Sequence, residues 1–179
     1  MSCEGCPSQG KCGKSSETCG IQSNPDNHIK NIITVMSGKG GVGKSTVTVM
    51  LAKAMAKKGL KVGIMDADIT GPSIPRLLAL SNEHAFGNEK QQLIPVESKE
   101  GIKVMSLNFL VQSESDPVIW RGPVIGGVVK QFYTDVVWGD LDVLLIDMPP
   151  GTGDVALTIM QSIPVQGVVM VSTPQPMVS

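Results

Sequence analysis

Thiols are missing from almost all of this 179-residue chain. Its four cysteines are Cys3, Cys6, Cys12 and Cys19, and nothing beyond Cys19 carries one. A disulfide framework would join distant parts of a fold, so this distribution excludes one. Aromatic residues are scarce as well, at 3% against 41% hydrophobic residues. The core must then be built from Val, Ile, Leu, Met and Ala, which suits a buried parallel sheet. Charge of either sign is not in excess: 15 Lys and Arg face 16 Asp and Glu, for a net charge of −1. That balance argues against nucleic acid as a main partner. No apolar run reaches the roughly 20 residues of a membrane span. The N-terminal residues are rich in Cys, Ser and Gly and form no apolar signal segment, so a cytoplasmic chain without a membrane partner is expected. The length suits one domain with a sizeable core.

What is present is a phosphate loop. Gly38, Lys39, Gly40, Gly41, Val42, Gly43, Lys44, Ser45 and Thr46 satisfy G-x-x-x-x-G-K-[ST], with a second lysine, Lys39, after the first glycine. Glycines let backbone N–H groups turn inward around phosphate oxygens, and the helix that follows points its positive end at the same anion. Lys44 is placed to reach the β- and γ-phosphates of a nucleoside triphosphate, and Ser45 to ligate Mg²⁺. The flanks agree. Asn31 to Ser37 is a short apolar, β-branched run, and Val47, Leu51, Ala54 and Met55 recur at helical spacing up to a stop at Gly59.

Residues 1–28 read as a flexible Cys-rich tail, and 29–179 as a P-loop ATPase domain. Within the domain, strands are expected at 31–37, 60–65, 102–107, 143–146 and 167–171. Helices are expected at 45–58, 74–80, 123–137 and 154–161, a small hairpin around Leu93–Val96, and a loop at 112–117. The alternation predicts an α/β fold: a mostly parallel sheet with helices on both faces. The strand at 167–171 feeds no covering helix before Ser179. A domain incomplete at its C-terminus, with an exposed apolar flank, is therefore expected. Asp66, Asp68 and Asp147 fall at strand ends, where open α/β sheets bind ligands. Asp147 after an apolar strand is the Walker-B arrangement for Mg²⁺, with Asp66 beside it, and Asp68 is suited to orient or deprotonate an attacking water. Asp154 reads equally well as a helix N-cap. His28 and His84 stand in polar stretches and read as surface residues.

With these motifs the chain resembles the deviant-Walker-A, MinD-like ATPases, in which Lys39 is the signature lysine. Within that group it looks most like the Mrp/ApbC/Nbp branch of iron–sulfur cluster carriers. The matching segments are Gly38 to Thr46, Asp66 to Ser73, Trp120 to Pro123, Trp138 to Asp142 and Ile146 to Asp154. The resemblance implies a MinD-like P-loop fold, slow ATP hydrolysis, and a homodimer that sandwiches ATP with Lys39 reaching the partner's nucleotide. It also implies apo iron–sulfur proteins as clients. Relatives in that branch hold a bridging cluster at a C-x-x-C beyond the nucleotide core, and no residue after Cys19 can supply such a thiolate here. No chemistry is assigned to Trp120 or Arg121, which read as a packed ring and a surface cation.

The tail remains. Cys3 and Cys6 form a C-x-x-C pair that places two thiolates on one metal, and Cys12 and Cys19 complete a set of four. Cys3 to Cys12 looks like the last three ligands of a ferredoxin-like motif in the Nbp-type carriers, with Cys19 substituting for the fourth. An iron–sulfur cluster of the 4Fe–4S type is the first reading, zinc the second and free thiols the third, since the ligand set is common to the first two. A MinD- or ParA-like positioning switch is the alternative function, and it leaves the tail unexplained. A reductase like the nitrogenase iron protein would need cysteines within the sheet region. The expected role of Lys39 in the partner's site predicts that Lys39→Ala slows ATP turnover; turnover at the full rate would overturn it.

Overall fold

The computed structural model describes residues 24–68, 71, 73–88, 92–110, 122–151 and 153–174. The four cysteines, Trp120, Arg121 and the loop at 112–117 lie outside these residues. In chain order the elements are β1 (His28–Ser37), α1 (Lys44–Lys57), β2 (Val62–Asp66), α2 (Ile74–Leu77), β3 (Phe86–Gly87), β4 (Leu93–Ile94) and β5 (Val96–Glu97). They continue with β6 (Lys103–Met105), a 3-10 turn at Leu107–Phe109, α3 (Gly122–Thr134), β7 (Asp140–Asp147), α4 (Asp154–Ser162) and β8 (Gly167–Val171).

Six strands form one sheet in the order β5-β6-β2-β7-β1-β8. All pairings within it are parallel except β5 with β6. β3 and β4 form a separate antiparallel pair. The central strand β7 pairs on both sides, with β1 and β2, and its residues alternate between two cores. Val143 and Leu145 face Val49 and Ala52 of α1, Ile74 of α2, and Val62 and Ile64 of β2. Leu144 and Ile146 face Val129 and Phe132 of α3 and Ala156 and Ile159 of α4. Burial on both faces is why β7 reads as a continuous apolar run rather than an alternating one. The expected α/β sheet with helices on both faces is present.

Helix α1 ends where expected, and the geometry gives the reason. Gly59 takes a left-handed conformation at φ 83. Its N–H bonds to Ala56 O, and the Leu60 N–H reaches back to Met55 O. This double closure satisfies two of the last helical carbonyls, and a side chain at Gly59 would strain it.

Several expected boundaries move. β1 begins at His28 because its first residues pair with Asp140 and Leu141 of β7. Asn27 adds to that junction, donating to Val136 O and accepting from Gly139 N–H. α2 stops at Leu77 rather than 80, followed by Ala79 at φ 57. α3 ends at Thr134, and Leu93 forms an isolated bridge with Val136 beyond it. The run Leu93–Val96 is not one hairpin. Leu93–Ile94 pairs with Phe86–Gly87, whereas Val96–Glu97 joins the edge of the main sheet. Pro95 lies between them and has no N–H to carry a ladder through. Gly153, not Asp154, occupies the N-cap of α4.

β8 sits at the sheet edge beside β1. Val168 and Met170 are 47% and 61% exposed, and Leu157 and Met160 of α4 are 56% and 39% exposed. The apolar flank expected at this end of the sheet is present.

Gly63 marks the tightest place in the core. A Cβ there would lie 2.6 Å from Leu141 Cδ1, 3.0 Å from Leu144 Cδ1 and 3.2 Å from Trp138 Cε3. Trp138 is itself fully buried, with its indole N–H donating to Phe132 O. Gly63→Ala is expected to destabilise the fold by about 1–3 kcal/mol through overpacking, read by urea denaturation. An unchanged midpoint would show that the leucine tips yield freely.

Candidate functional site

The register of the central strands builds the site. Val35 of β1 and Asp66 of β2 both stand opposite Asp147 of β7. The three strands therefore end together, and the loop leaving β1 lies over the end of β7. Gly43, at φ 86, turns the chain into α1 in a conformation that side chains disfavour. No side chain caps α1 and no acidic residue occupies its first turn. Its first N–H groups are thus left for an anion.

Asp147 is wholly buried, yet it accepts from three side chains. Lys44 Nζ lies 2.9 Å from Oδ1. The Ser45 hydroxyl donates to Oδ2 at 2.6 Å, and the Thr48 hydroxyl lies 2.9 Å from Oδ1. Lys44 is only 7% exposed and lies 3.7 Å from Asp68 Oδ2 as well. Asp66 stands behind this cluster with both oxygens engaged. Its Oδ1 accepts the Asp68 N–H at 3.2 Å, and its Oδ2 lies 3.2 Å from the Ser106 hydroxyl.

Burial first, and then the negative charge of Asp147, push the Asp66 carboxyl up from 3.8 to about 8. The bonds from Asp68 N–H and Ser106 pull the other way without cancelling this. Below that pH Asp66 is largely neutral, and Lys44 faces the carboxylates of Asp147 and Asp68.

A cleft of about 320 Å³ opens over these groups, lined by Ser37, Gly40, Gly41, Gly43, Lys44 and Ser45, with Asp68 and Pro150 on the far side. The loop after β7 is tied to the phosphate loop by Gly151 N–H donating to Ser37 O at 2.9 Å. A larger cleft of about 610 Å³ lies at the opposite end of the sheet, near His28 and Asp140. Its Lys30 and Asp142 already pair at 2.7 Å, and neither the glycine loop nor the start of α1 lines it.

The groups present fit a Mg²⁺–nucleotide. The Ser45 hydroxyl and the carboxylates are hard oxygen ligands, and the acidic excess around Lys44 favours a cation. The buried Ser37 hydroxyl lines the cleft with no hydrogen-bond partner among the described residues. No cluster of three or more His, Cys, Asp or Glu among those residues is arranged to hold a metal alone. Mg²⁺ here would depend on phosphate oxygens, its usual mode with nucleotides.

Lys44, Ser45, Asp66, Asp68 and Asp147 are thus brought together, and Gly38, Gly40, Gly41, Val42, Gly43 and Thr46 surround them as the loop and the start of α1. Lys39 is exposed on that loop. The cysteines fall outside the described residues. Sequence reasoning missed Thr48, Ser106 and Ser37. Thr48 had a legible signal, since it lies one helical turn beyond Lys44 on the same face of α1. Ser106 had none, because its approach to Asp66 depends on the pairing of β2 with β6.

Fold and site together define a P-loop NTPase fold of the MinD-like kind. The family model for the NUBPL iron-transfer P-loop NTPases of the ParA group matches residues 28–179, and the chain belongs to that family. It is 50% identical to the iron–sulfur cluster carrier protein of Clostridium perfringens, over 99% of this chain and 67% of that protein. It is 48% identical to the carrier protein of Methanocaldococcus jannaschii, over 97% of this chain and 61% of that one. The chain therefore spans about two thirds or less of the length of these relatives. A nucleotide-binding protein of Archaeoglobus fulgidus, solved with ADP and Co, superposes with a TM-score of 0.72 at 49% identity, covering 84% of this chain and 57% of that one. The cell-division ATPase MinD of Pyrococcus furiosus has the same fold, with a TM-score of 0.53 at 23% identity over 82% of this chain and 60% of that one. Among the described residues no helix is long and apolar enough to cross a membrane.

Asp66 makes stability depend on pH. Its folded-state value lies above the unfolded 3.8, so the folded chain keeps a proton that the unfolded chain releases. Raising the pH from about 4 towards 8 therefore favours unfolding, with a slope of at most about 1.4 kcal/mol per unit. Nucleotide-free protein is expected to lose stability across this window, and Asp66→Asn to lose less. Denaturation series at several pH values check this; equal slopes in the two proteins would refute it.

Proposed function

We propose that this chain is the nucleotide-driven core of an iron–sulfur cluster carrier. It binds ATP with Mg²⁺ at residues 38–46, hydrolyses it slowly, and couples nucleotide state to the delivery of a cluster to apo-proteins in the cytoplasm. The observation that carries the reading is the buried Lys44–Asp147–Ser45 constellation beneath a phosphate loop, in a chain of the iron-transfer family. Lys44 neutralises phosphate charge. Asp68, beside Lys44, orients or deprotonates the attacking water. Ser45 and Asp147 would hold Mg²⁺, which when bound offsets charge on the β- and γ-phosphates, and Asp66 stands behind them. The chain acts as a homodimer, in which Lys39 adds a cation at the partner's nucleotide in the manner of an arginine finger.

The cargo is a cluster, of the 4Fe–4S type, held by Cys3, Cys6, Cys12 and Cys19 on the N-terminal tail, ahead of the ATPase domain whose first strand begins at His28. Four thiolates suit iron–sulfur clusters and Zn²⁺ alike, so composition must be measured. The curated relatives named as carriers favour iron. A positioning switch gains little from MinD, whose likeness at 23% identity is one of fold alone.

Anaerobic reconstitution with iron and sulfide tests the cargo site. Stoichiometric iron and sulfide are expected in the wild-type chain, with both lost from a Cys3/Cys6/Cys12→Ala variant. Zinc in their place, or no metal, would remove the cluster from the tail and leave a bare nucleotide switch.

A further inference from the structure

Thr48 stands out because nothing in the proposed nucleotide chemistry uses it. It is a polar residue with no exposed surface on the inward face of α1. Its hydroxyl has one proton and two acceptors within reach, Asp147 Oδ1 at 2.9 Å and the Lys44 carbonyl at 3.1 Å. The bond to the carboxylate is charge-assisted and the stronger of the two. The Lys44 carbonyl also sits one helical turn before Thr48, where the helical ladder supplies it with a backbone donor.

The other donors to Asp147 differ in one respect. Lys44 and Ser45 both line the cleft, and both are groups that a Mg²⁺–nucleotide would claim. Lys44 would turn to phosphate and the Ser45 oxygen would be drawn to the metal, so among the described residues Thr48 is the side-chain donor to Asp147 that neither of them claims. Thr48 does not line the cleft. It is packed against the sheet beside Val49 and Ala52, which are themselves buried. Its β-branched side chain has restricted rotation within a helix.

We propose that Thr48 is a positioning residue: its hydroxyl holds Asp147 Oδ1 through the nucleotide cycle, so that the carboxylate keeps one orientation toward the Mg²⁺ site. This rests on the nucleotide reading given above. A buried carboxylate that lost this fixed donor would be freer to rotate, which weakens it as a metal partner. The design parallels the outer hydrogen bonds that orient ligands in metal sites, whose removal typically costs about 10–100-fold in metal affinity.

The test is ADP binding by calorimetry with the full chain, with and without Mg²⁺. The wild-type chain is expected to bind ADP more tightly with Mg²⁺. Thr48→Val keeps the shape and removes the hydroxyl; Thr48→Ala removes it with less bulk. Both are expected to need about tenfold more Mg²⁺ for half of that gain, while Mg²⁺-free affinity stays within about twofold. Thr48→Ser restores the hydroxyl and is expected to restore the Mg²⁺ response. Wild-type Mg²⁺ dependence in a folded Val or Ala variant would overturn the proposal. So would a Ser variant that loses the response while still folded, or equal weakening with and without Mg²⁺. A wild-type chain that binds no ADP would instead bring down the nucleotide reading, and this proposal with it.

Discussion

A carboxylate with no exposed surface needs protein donors to replace the water it has lost. For Asp147 those donors all come from the first turns of α1, which fixes where that helix must begin. Desolvating each ion of such a pair costs several kcal/mol, and the mutual attraction offsets this only when the geometry is good. Lys44 and Thr48 on one carboxylate oxygen, with Ser45 on the other, meet that condition. Much else follows from this single junction. α1 starts above the end of β7, the phosphate loop is stretched across the gap between them, and the unsatisfied N–H groups of α1 open onto the cleft.

The same junction sets the electrostatics of the site. Lys44 is matched by Asp147 and Asp68, and Asp66 keeps its proton near neutral pH because burial and the neighbouring charge both oppose its ionisation. A nucleotide therefore competes with internal partners rather than entering a preformed field of bare cations. Binding would exchange carboxylate partners of Lys44 for phosphate, and free carboxylate oxygens for Mg²⁺. Such an exchange alters the hydrogen bonds at the ends of β1, β2 and β7 together. The loop after β7 is tied to Ser37 and would sense it directly.

Local chemistry made much of this legible beforehand. Gly38 to Thr46 could be read because the phosphate loop is contiguous, and its flanking strand and helix carry their own periodicities. The buried strands could be read from apolar runs, and Asp66, Asp68 and Asp147 from their places after those runs. The small strands around Leu93–Val96 could not, because two-residue pairings carry almost no pattern and Pro95 splits the run between two sheets. Thr48 shows in the pattern only as a polar residue one helical turn after Lys44. Ser106 was silent, since only the pairing of β6 with β2 brings it near Asp66.

Residue order alone specifies the chemistry of the loop, the α/β alternation and the set of residues able to meet a nucleotide, because each of these depends on neighbours within a few positions. Strand order is a different kind of fact. That β7 lies between β1 and β2, although some 75 residues separate it from β2, depends on which apolar faces can be covered at once. Only that order puts Asp147 under Lys44 and beside Asp66. It thereby decides that Asp147 gathers donors from α1 while Asp66, crowded beside it and cut off from water, is pushed towards its protonated form.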